Sequence, residues 1–263
     1  MTPFVLLTRP DGKNAELHQR LQQAELDVLA LPALALEPAN FEQVRLPAPY
    51  DLVVFVSGFA VDCYFRALKQ TDQPMWPKGC RAAAVGLASA KALLQSGIVP
   101  PEQIVAPDAD SKQDSEALWG ELQKRCIRPT RALIVCGDTG RTWLAEQLQQ
   151  AGASVERYRA YVRQAVSWLP EAIERLAALS QTGRRAIVLL TSRQGADAWL
   201  AALQQAGMVG LLRNSDFVVV HERIAQHLLQ TMGSSFHGAK PTIIVSKPDD
   251  IAMFRSIMTL ASP

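Results

Sequence analysis

Small and hydroxyl-bearing residues stand where apolar runs of this sequence end, and their chemistry suits the binding of anions. In VVFVSGFAVDCYFRAL, residues 53–68, β-branched and aromatic residues stop at Ser57 and Gly58, and helical spacing begins. A serine at a helix start accepts hydrogen bonds from free backbone N–H groups, which also attract carboxylates. The arrangement recurs at three other places: Gly86 to Ser89, Gly137 to Arg141, and Thr191 with Ser192. The pattern predicts either plain helix caps or a set of anion sites, and both interpretations stay open.

Two arginines follow the same kind of strand end and would add positive charge to such sites. Arg9 follows the first apolar run, FVLLT, and Arg141 closes the stretch GDTGR. A guanidinium group forms charge-assisted hydrogen bonds with a carboxylate. Solvated or salt-bridged surface arginines would explain the same two positions, and the glycines of these stretches would serve turn geometry alone.

The composition excludes large classes of partner. The chain has 263 residues, of which 48% are hydrophobic and 20% charged, and its net charge is +2. Acidic and basic residues are mixed along the chain, so no basic surface for nucleic acid or anionic lipid is predicted. An acidic ligand would therefore be held by local donors.

The sequence predicts no targeting segment and no metal site. The start, MTPFVLLTRPDG, has no basic region before its short apolar run, and no apolar stretch reaches membrane-spanning length, so we expect a cytoplasmic protein. The four cysteines show no C-x-x-C spacing, which gives no sign of disulfides or zinc. The four histidines are scattered, without metal-ligand spacing: His18, His221, His227 and His237.

Strand-like runs alternate with stretches of helical periodicity. The runs are 4–8, 27–36, 51–56, 81–85, 103–106, 132–136, 154–162, 185–191, 216–220 and 242–245. They are apolar throughout, as strands are when helices cover both faces of a sheet. The pattern predicts an α/β fold built from parallel sheet.

Three pairs of segments repeat within the chain without gaps. One pair matches at a shift of 127 residues and two pairs at a shift of 135: 6–24 with 133–151, 53–68 with 188–203, and 81–95 with 216–230. Because the matching pieces come in a different order along the chain, we expect two similar lobes, one of them discontinuous.

The predicted lobes are residues 1–36 with 164–263, and residues 38–160. The chain would cross between them near 31–40 and 155–164, which are extended stretches with prolines in the first and aromatic and basic residues in the second. We expect the ligand site at the carboxyl ends of the strands, in the cleft between the lobes.

An ordered set of motifs resembles the uroporphyrinogen-III synthase family over nearly the whole chain. The set comprises VLLTRP, VFVSGFAV, AVGLASAKAL, GDTGR, RAYVRQ and LLTSRQGA. The sequence departs from the family at VVVHERIAQHL, where His221 and Ile224 replace the usual glycine and hydroxyl residue. We therefore expect no anion contact at that turn.

The resemblance implies a cofactor-free lyase of tetrapyrrole and heme biosynthesis that acts as a monomer. Its substrate would be hydroxymethylbilane, which carries eight carboxylates. In the family scheme ring A loses hydroxide to leave an azafulvene, and ring D attacks to form a spiro-pyrrolenine. That intermediate fragments and recloses with ring D inverted, whereas unassisted closure gives isomer I.

The resemblance also implies the site residues. Tyr161 matches the family's tyrosine on the return crossing, and its phenol would help the ring A hydroxyl to leave. The alternatives are a tyrosine that only packs on a lobe, or a role for Tyr158 instead. The predicted carboxylate contacts are Arg9, Ser57, Gly58, Gly86, Ser89, Gly140, Arg141, Thr191 and Ser192.

A second function class remains open at this point, a two-lobed cytoplasmic protein that binds or senses an acidic small molecule without chemistry. Such a protein needs no proton donor at a crossing, where Tyr161 stands. A Rossmann dehydrogenase is excluded, because no G-x-G-x-x-G follows the first strand.

Overall fold

A computed structural model describes residues 2–39, 43–72, 75–233 and 240–262. The chain divides into two compact units, unit 1 with Met1–Ala35 and Gln164–Pro263, and unit 2 with Leu36–Arg163. The predicted lobes, 1–36 with 164–263 and 38–160, have nearly the same limits. Residue 40, at the end of the first predicted crossing, and His237 lie outside the described residues.

Strands and helices alternate along the chain, as the hydrophobic pattern predicts. The strands are β1 (Phe4–Leu7), β2 (Asp27–Ala30), β3 (Leu34–Pro38), β4 (Leu52–Phe55), β5 (Arg81–Ala84), β6 (Ile104–Val105), β7 (Arg131–Gly137), β8 (Ser154–Ala165), β9 (Ala186–Leu190), β10 (Ser215–Val219) and β11 (Ile243–Val245). The helices are α1 (Ala15–Gln23), α2 (Gly58–Leu68), α3 (Leu87–Ser96), α4 (Ser115–Lys124), α5 (Trp143–Gln150), α6 (Pro170–Gln181), α7 (Arg193–Gln205), α8 (Glu222–Met232) and α9 (Asp250–Ala261). Short 3-10 helices cover Pro101–Gln103 and Val209–Asn214.

The prediction of a single strand over residues 27–36 was wrong. The run supplies β2 to one sheet and the start of β3 to the other. Pro32 lies between the two strands and has no N–H to donate to a ladder. On either side of it, Leu31 N donates to the carbonyl of Leu7 at 2.9 Å and Ala33 N to that of Thr8 at 3.0 Å, where β1 ends. The break falls where the sequence predicted the chain to cross between lobes.

The two sheets have the same strand order. Unit 1 has a five-stranded sheet, β11-β10-β9-β1-β2, and unit 2 has a six-stranded sheet, β3-β8-β7-β4-β5-β6. Read from the opposite edge, the second sheet is β6-β5-β4-β7-β8-β3, so β6 corresponds to β11, and β8 corresponds to β2. The strand β3 has no counterpart in the first sheet. The neighbouring strands from β11 to β2 and from β8 to β6 pair in parallel, and the α/β class with parallel sheets is confirmed. At the edge, β3 runs antiparallel to β8, since Ala39 N donates to the carbonyl of Ala160 and Val166 N donates to the carbonyl of Ala33.

The strand registers reproduce the sequence repeat. Val5 lies opposite Ile187 in unit 1, and Ala132 lies opposite Leu52 in unit 2. The differences, 132 − 5 = 127 and 187 − 52 = 135, are the two shifts found in the sequence. The matching segments therefore occupy equivalent places in the two sheets, as duplicated units would.

Helices cover both faces of each sheet, which explains why the strands are apolar throughout. In β4, Leu52 and Val54 belong to the core under α4 and α5, whereas Val53 and Phe55 belong to the core under α2 and α3. The strands of unit 1 likewise contribute to two separate cores. With both faces filled, the carboxyl edge of each sheet is where polar side chains find space.

Candidate active site at the strand ends

Tyr161 lies in β8 beside an irregularity of pairing that sets the direction of its side chain. The register between β7 and β8 runs from Cys136 opposite Arg159 to Gly137 opposite Tyr161, so one residue of β8 has no partner in this ladder. A bulge of this kind re-aims nearby side chains. The Tyr161 ring packs edge-on against Phe59, with centroids 5.2 Å apart, and the residue is only 1% exposed.

Tyr158, the alternative to Tyr161, is part of the core. It is buried, and its ring lies edge-on to Tyr64 with centroids 6.0 Å apart. Tyr64 itself donates its hydroxyl to the carbonyl of Arg45 at 2.7 Å. Tyr158 and Tyr161 are both buried in this core, and the role of Tyr161 as the proton donor stays a prediction.

The Tyr161 hydroxyl lies between two hydrogen-bond donors. Arg163 Nη2 donates to Tyr161 Oη at 2.8 Å, and Ser57 Oγ donates to it at 3.2 Å. Ser57 Oγ also accepts a hydrogen bond from the N–H of Ala60 at 3.2 Å, which caps α2. The two interpretations of Ser57, a helix cap and a site residue, are therefore compatible.

The turn between β7 and α5 holds the Arg163 guanidinium. Arg163 Nη1 donates to the carbonyl oxygen of Thr139 at 3.0 Å and to its hydroxyl at 3.2 Å. Asp138 Oδ1 lies 3.9 Å from the same nitrogen and accepts a hydrogen bond from the Arg163 backbone N–H at 3.3 Å. The guanidinium carbon also lies 5.0 Å from the centroid of the Tyr161 ring. The first residues of GDTGR therefore position an arginine.

Gly137 has no room for a side chain. A Cβ atom there would lie 2.8 Å from Tyr161 Cε2 and 2.9 Å from Arg163 Nη1. Sequence reasoning missed Arg163, although a signal was available in RAYVRQ. Residues two apart share a face of a strand, so Tyr161 and Arg163 are natural neighbours.

The N-terminus of α3 is already bonded to a side chain. Gly86 is the cap residue, and the N–H of Leu87 donates to Gln113 Oε1 at 2.9 Å. Ser89 is buried in the first turn of this helix. Gln113 is a second residue that sequence reasoning missed, because it lies 26 residues from Leu87 and no local pattern connects them.

Gly58 and Gly140 differ in their surroundings. A Cβ atom on Gly58 would lie 3.4 Å from the carbonyl oxygen of Ala88, so this glycine lets α2 pack closely against α3. A Cβ atom on Gly140 would meet no heavy atom within 4 Å among the described residues. Gly140 is thus set in an open part of its loop.

Arg141 is paired with a carboxylate of its own unit. Its two terminal nitrogens bond the two carboxylate oxygens of Glu116 in α4, at 2.9 and 2.5 Å. Hydrogen bonding to Glu116 raises the pKa of Arg141, and the guanidinium carbon lies 5.9 Å from the centroid of the Trp143 ring. The structure therefore places Arg141 in a half-exposed ion pair, and its contact with a substrate carboxylate stays a prediction.

The equivalent strand end of unit 1 contains a second serine cap. Ser192 Oγ accepts a hydrogen bond from the N–H of Gly195 at 2.9 Å and caps α7. Thr191, directly before it, is partly exposed. The hydroxyl of the neighbouring Thr8 is buried and donates to the carbonyl of Leu189 at 2.6 Å.

Arg9 is held at the end of β1 by two side chains. Its Nη1 lies 2.8 Å from Asp250 Oδ1, and its Nε donates to Asn14 Oδ1 at 3.1 Å. Its Nη2 is buried and has no hydrogen-bond partner among the described residues. One side of this guanidinium is therefore balanced by a carboxylate, and the other remains unpaired.

His221 caps α8 at the turn where the sequence departs from the family pattern. Its Nδ1 accepts a hydrogen bond from the N–H of Arg223 at 3.1 Å. A backbone donor that would otherwise face solvent or an anion is thus used by the histidine. That no substrate carboxylate binds at this turn stays a prediction.

Within the described ranges, no group of three or more His, Cys, Asp and Glu side chains is arranged to hold a metal ion. None of the helices in these ranges is long and apolar enough to cross a membrane.

The family model described as uroporphyrinogen-III synthase HemD matches residues 15–240 of the chain. The uroporphyrinogen-III synthase of Salmonella typhimurium is 27% identical over 243 residues, which cover 87% of this chain and 91% of that protein. The uroporphyrinogen-III synthase of Escherichia coli is 28% identical over 169 residues, 62% of this chain and 66% of that protein.

Solved structures show the same fold. Uroporphyrinogen-III synthetase of Helicobacter pylori superposes with a TM-score of 0.64 at 16% identity, covering 98% of this chain and 99% of that one. A mutant uroporphyrinogen III synthase of Thermus thermophilus gives 0.57 at 17% identity, covering 97% and 98%. The match of the family model over most of the chain decides the assignment: the chain belongs to the uroporphyrinogen-III synthase family.

Proposed function

We propose that the protein converts hydroxymethylbilane into uroporphyrinogen III and water with inversion of ring D. The observation that carries the proposal is the placement of Tyr161, whose hydroxyl contacts Arg163 and Ser57 at a strand end of a family member. We further propose that the protein is a lyase that acts as a cytoplasmic monomer. It would need no cofactor and would bind neither nucleic acid nor a membrane.

The reaction needs a proton donor more than a protein nucleophile, because the substrate already contains electron-rich pyrroles. In the proposed first step the C–O bond at ring A breaks, and the leaving hydroxide takes the Tyr161 proton to form water. A cationic azafulvene and a phenolate remain. The substituted carbon of ring D then attacks the azafulvene to form the spiro-pyrrolenine, whose bond from the spiro carbon to the methylene of ring C breaks. The unsubstituted carbon of the inverted ring D closes onto that methylene, and the proton it loses as the pyrrole regains aromaticity returns to the phenolate. The net change is loss of one water.

Access to the phenol is proposed to come from the side of its two partners. The Tyr161 ring is buried, but the Arg163 side chain is 25% exposed and Ser57 is also partly exposed. A neutral phenol there could assist hydroxide departure without bringing a stronger acid to the reactive pyrroles.

The substrate carboxylates are proposed to contact donors at the strand ends of each unit. Helix N-termini capped by serine or glycine retain further backbone N–H groups and a favourable dipole. The proposed contacts are Ser57, Gly58, Gly86, Ser89, Gly140 and Arg141 in unit 2, and Arg9, Thr191 and Ser192 in unit 1.

The test is to add the purified chain to freshly made hydroxymethylbilane and to separate the isomers after oxidation. We expect isomer III as the main product, formed faster than isomer I forms without enzyme. Isomer I alone, at the rate without enzyme, would overturn the proposal. Binding of the substrate without turnover would instead support a binding or sensor protein.

A further inference from the structure

We propose that Arg163 is a positioning residue, which directs the Tyr161 proton toward the substrate and stabilises the phenolate that remains. This role rests on the proposed function. It concerns a residue of RAYVRQ that was not among the predicted site residues.

The hydrogen bonds at the phenol oxygen leave its own proton free for donation. A guanidinium only donates, so the 2.8 Å contact with Arg163 uses a lone pair of Tyr161 Oη. Ser57 Oγ accepts from the N–H of Ala60, and its own proton is directed to Tyr161 Oη. Both contacts therefore place donors on the phenol oxygen, and neither consumes its proton.

The charge of Arg163 matches the charge that develops during the reaction. When the O–H bond of Tyr161 breaks, the electron pair stays on an oxygen 2.8 Å from a permanent cation. Tyr161 is 1% exposed, so little water screens this attraction. A charge-assisted hydrogen bond that strengthens in the transition state accelerates the step.

The surroundings fix Arg163 in this orientation before substrate arrives. Thr139 holds Nη1 through two oxygens, which leaves Nη2 for the phenol. The Asp138 carboxylate lies 3.9 Å from Nη1, an ion pair without a hydrogen bond, so it does not compete with the phenol for Nη2. Gly137 allows this approach because a Cβ atom there would overlap both Tyr161 and Arg163.

A double-mutant cycle on the full chain tests the role. We expect Arg163→Met to lower kcat by about 10- to 100-fold with KM changed by no more than a few fold. If Arg163 acts through the phenol, the variant with both Tyr161→Phe and Arg163→Met should be within about twofold of Tyr161→Phe alone. Product isomers are measured for each variant.

Two further variants keep the test decisive. Arg159→Met, on the same strand, removes an exposed positive charge and measures the general effect of charge on the binding of a polyanion. Arg163→Lys keeps the charge but loses the forked geometry, and we expect an intermediate kcat. If Arg163→Met does not fold, judged by circular dichroism, the same cycle is run with Arg163→Lys.

The outcomes separate this inference from the proposed function. Losses that multiply in the double variant, or a tenfold rise in KM that persists without the phenol, would overturn the positioning role and indicate carboxylate binding by Arg163. A wild-type protein that yields only isomer I would overturn the proposed function and this role with it. Isomer III from the wild type with non-additive losses supports both.

Discussion

The two serine caps, Ser57 and Ser192, occupy equivalent places in the repeat but have different neighbours. Each accepts a hydrogen bond from the N–H three residues later, at 3.2 and 2.9 Å. Ser57 also contacts the Tyr161 hydroxyl, whereas the shift of 127 residues places Leu34 at the position of that tyrosine. Leu34 Cδ1 lies 3.9 Å from the Cβ position of Gly195 in the capped helix. The two units therefore share the capped helix, but only unit 2 has a tyrosine at this position of the repeat, and unit 1 has a leucine.

The two strand ends also differ in how they use an arginine. Arg9 in unit 1 forms a 2.8 Å ion pair with Asp250, so its charge is largely balanced. In unit 2, Arg163 lies 3.9 Å from the Asp138 carboxylate and donates a hydrogen bond from Nη2 to the neutral hydroxyl of Tyr161. A paired cation suits anchoring, whereas a cation beside a phenol suits proton transfer. With the chemistry proposed for unit 2, the comparison predicts that variants in the two units have different kinetic effects.

The largest effect is expected from Tyr161→Phe, which removes one hydroxyl and keeps the ring. Turnover should fall by about 10²-fold or somewhat less, because water could partly replace the phenol as a proton donor. Substrate affinity should stay within a few fold, and the product should remain isomer III, since inversion depends on how the site shapes the chain. Steady-state kinetics and isomer separation measure both.

Tyr158→Phe is the matched control, because it removes a hydroxyl from a buried tyrosine three residues earlier on the same strand. Its turnover should stay near that of the wild type. Unchanged turnover in Tyr161→Phe would remove the phenol from the mechanism. Release of mainly isomer I would show that the tyrosine controls inversion.

An intermediate effect is expected from Gly137→Ala. The new Cβ atom would lie 2.8 Å from the Tyr161 ring and 2.9 Å from the Arg163 guanidinium, so both side chains must shift. We expect kcat to fall about tenfold, and the free energy of unfolding to fall by about 1–3 kcal/mol as in other overpacked sites. Kinetics and urea unfolding measure the two changes.

Gly120→Ala provides the control for the glycine change. Gly120 lies within α4, and a Cβ atom there would meet no heavy atom within 4 Å among the described residues. Alanine should stabilise this helix by up to about 1 kcal/mol and leave turnover unchanged. Wild-type kinetics in Gly137→Ala would mean that the close approach of Tyr161 and Arg163 is not needed for catalysis.

The smallest effect is expected from the serine caps, and it compares the two units directly. Ser57→Ala and Ser192→Ala each remove one capping acceptor and should lower the free energy of unfolding by a similar amount, about 1 kcal/mol. Ser57→Ala should also lower kcat by about two- to fivefold, because a donor to the phenol is lost. Ser192→Ala should affect KM instead. Equal kinetic effects of the two variants would contradict the functional difference between the units.

Much of the fold was predictable because the signals are local or repeat in the sequence. Fully apolar runs indicated strands buried on both faces, and Leu52 to Phe55 are buried as expected. The run at 27–36 was the exception, since its apolar residues continue through Pro32 while the chain changes sheets. The cap at Ser57 was predictable from the residue type at a strand end, and its acceptor contact is present.

The partners of the site residues were harder to predict, because they are distant in the chain. Ser57 and Tyr161 are 104 residues apart, and Arg141 meets Glu116 across 25 residues. The sequence offered Arg141 as a carboxylate contact, and only the structure shows the partner that already holds it. Gln113 at the start of α3 was unpredictable for the same reason.

The sequence by itself determined most of the strands, the caps at Ser57 and Ser192, the repeat with its two shifts and the choice of Tyr161 as a candidate, because these depend on residue type, periodicity and ungapped similarity. The tertiary structure decided which polar groups meet. The β-bulge of β8 opposite Gly137 and the turn at Asp138 and Thr139 bring Arg163 to the phenol, whereas Arg9 is paired with Asp250. Hydrogen bonds and ion pairs act over about 3 Å in space, and packing sets those distances independently of separation along the chain.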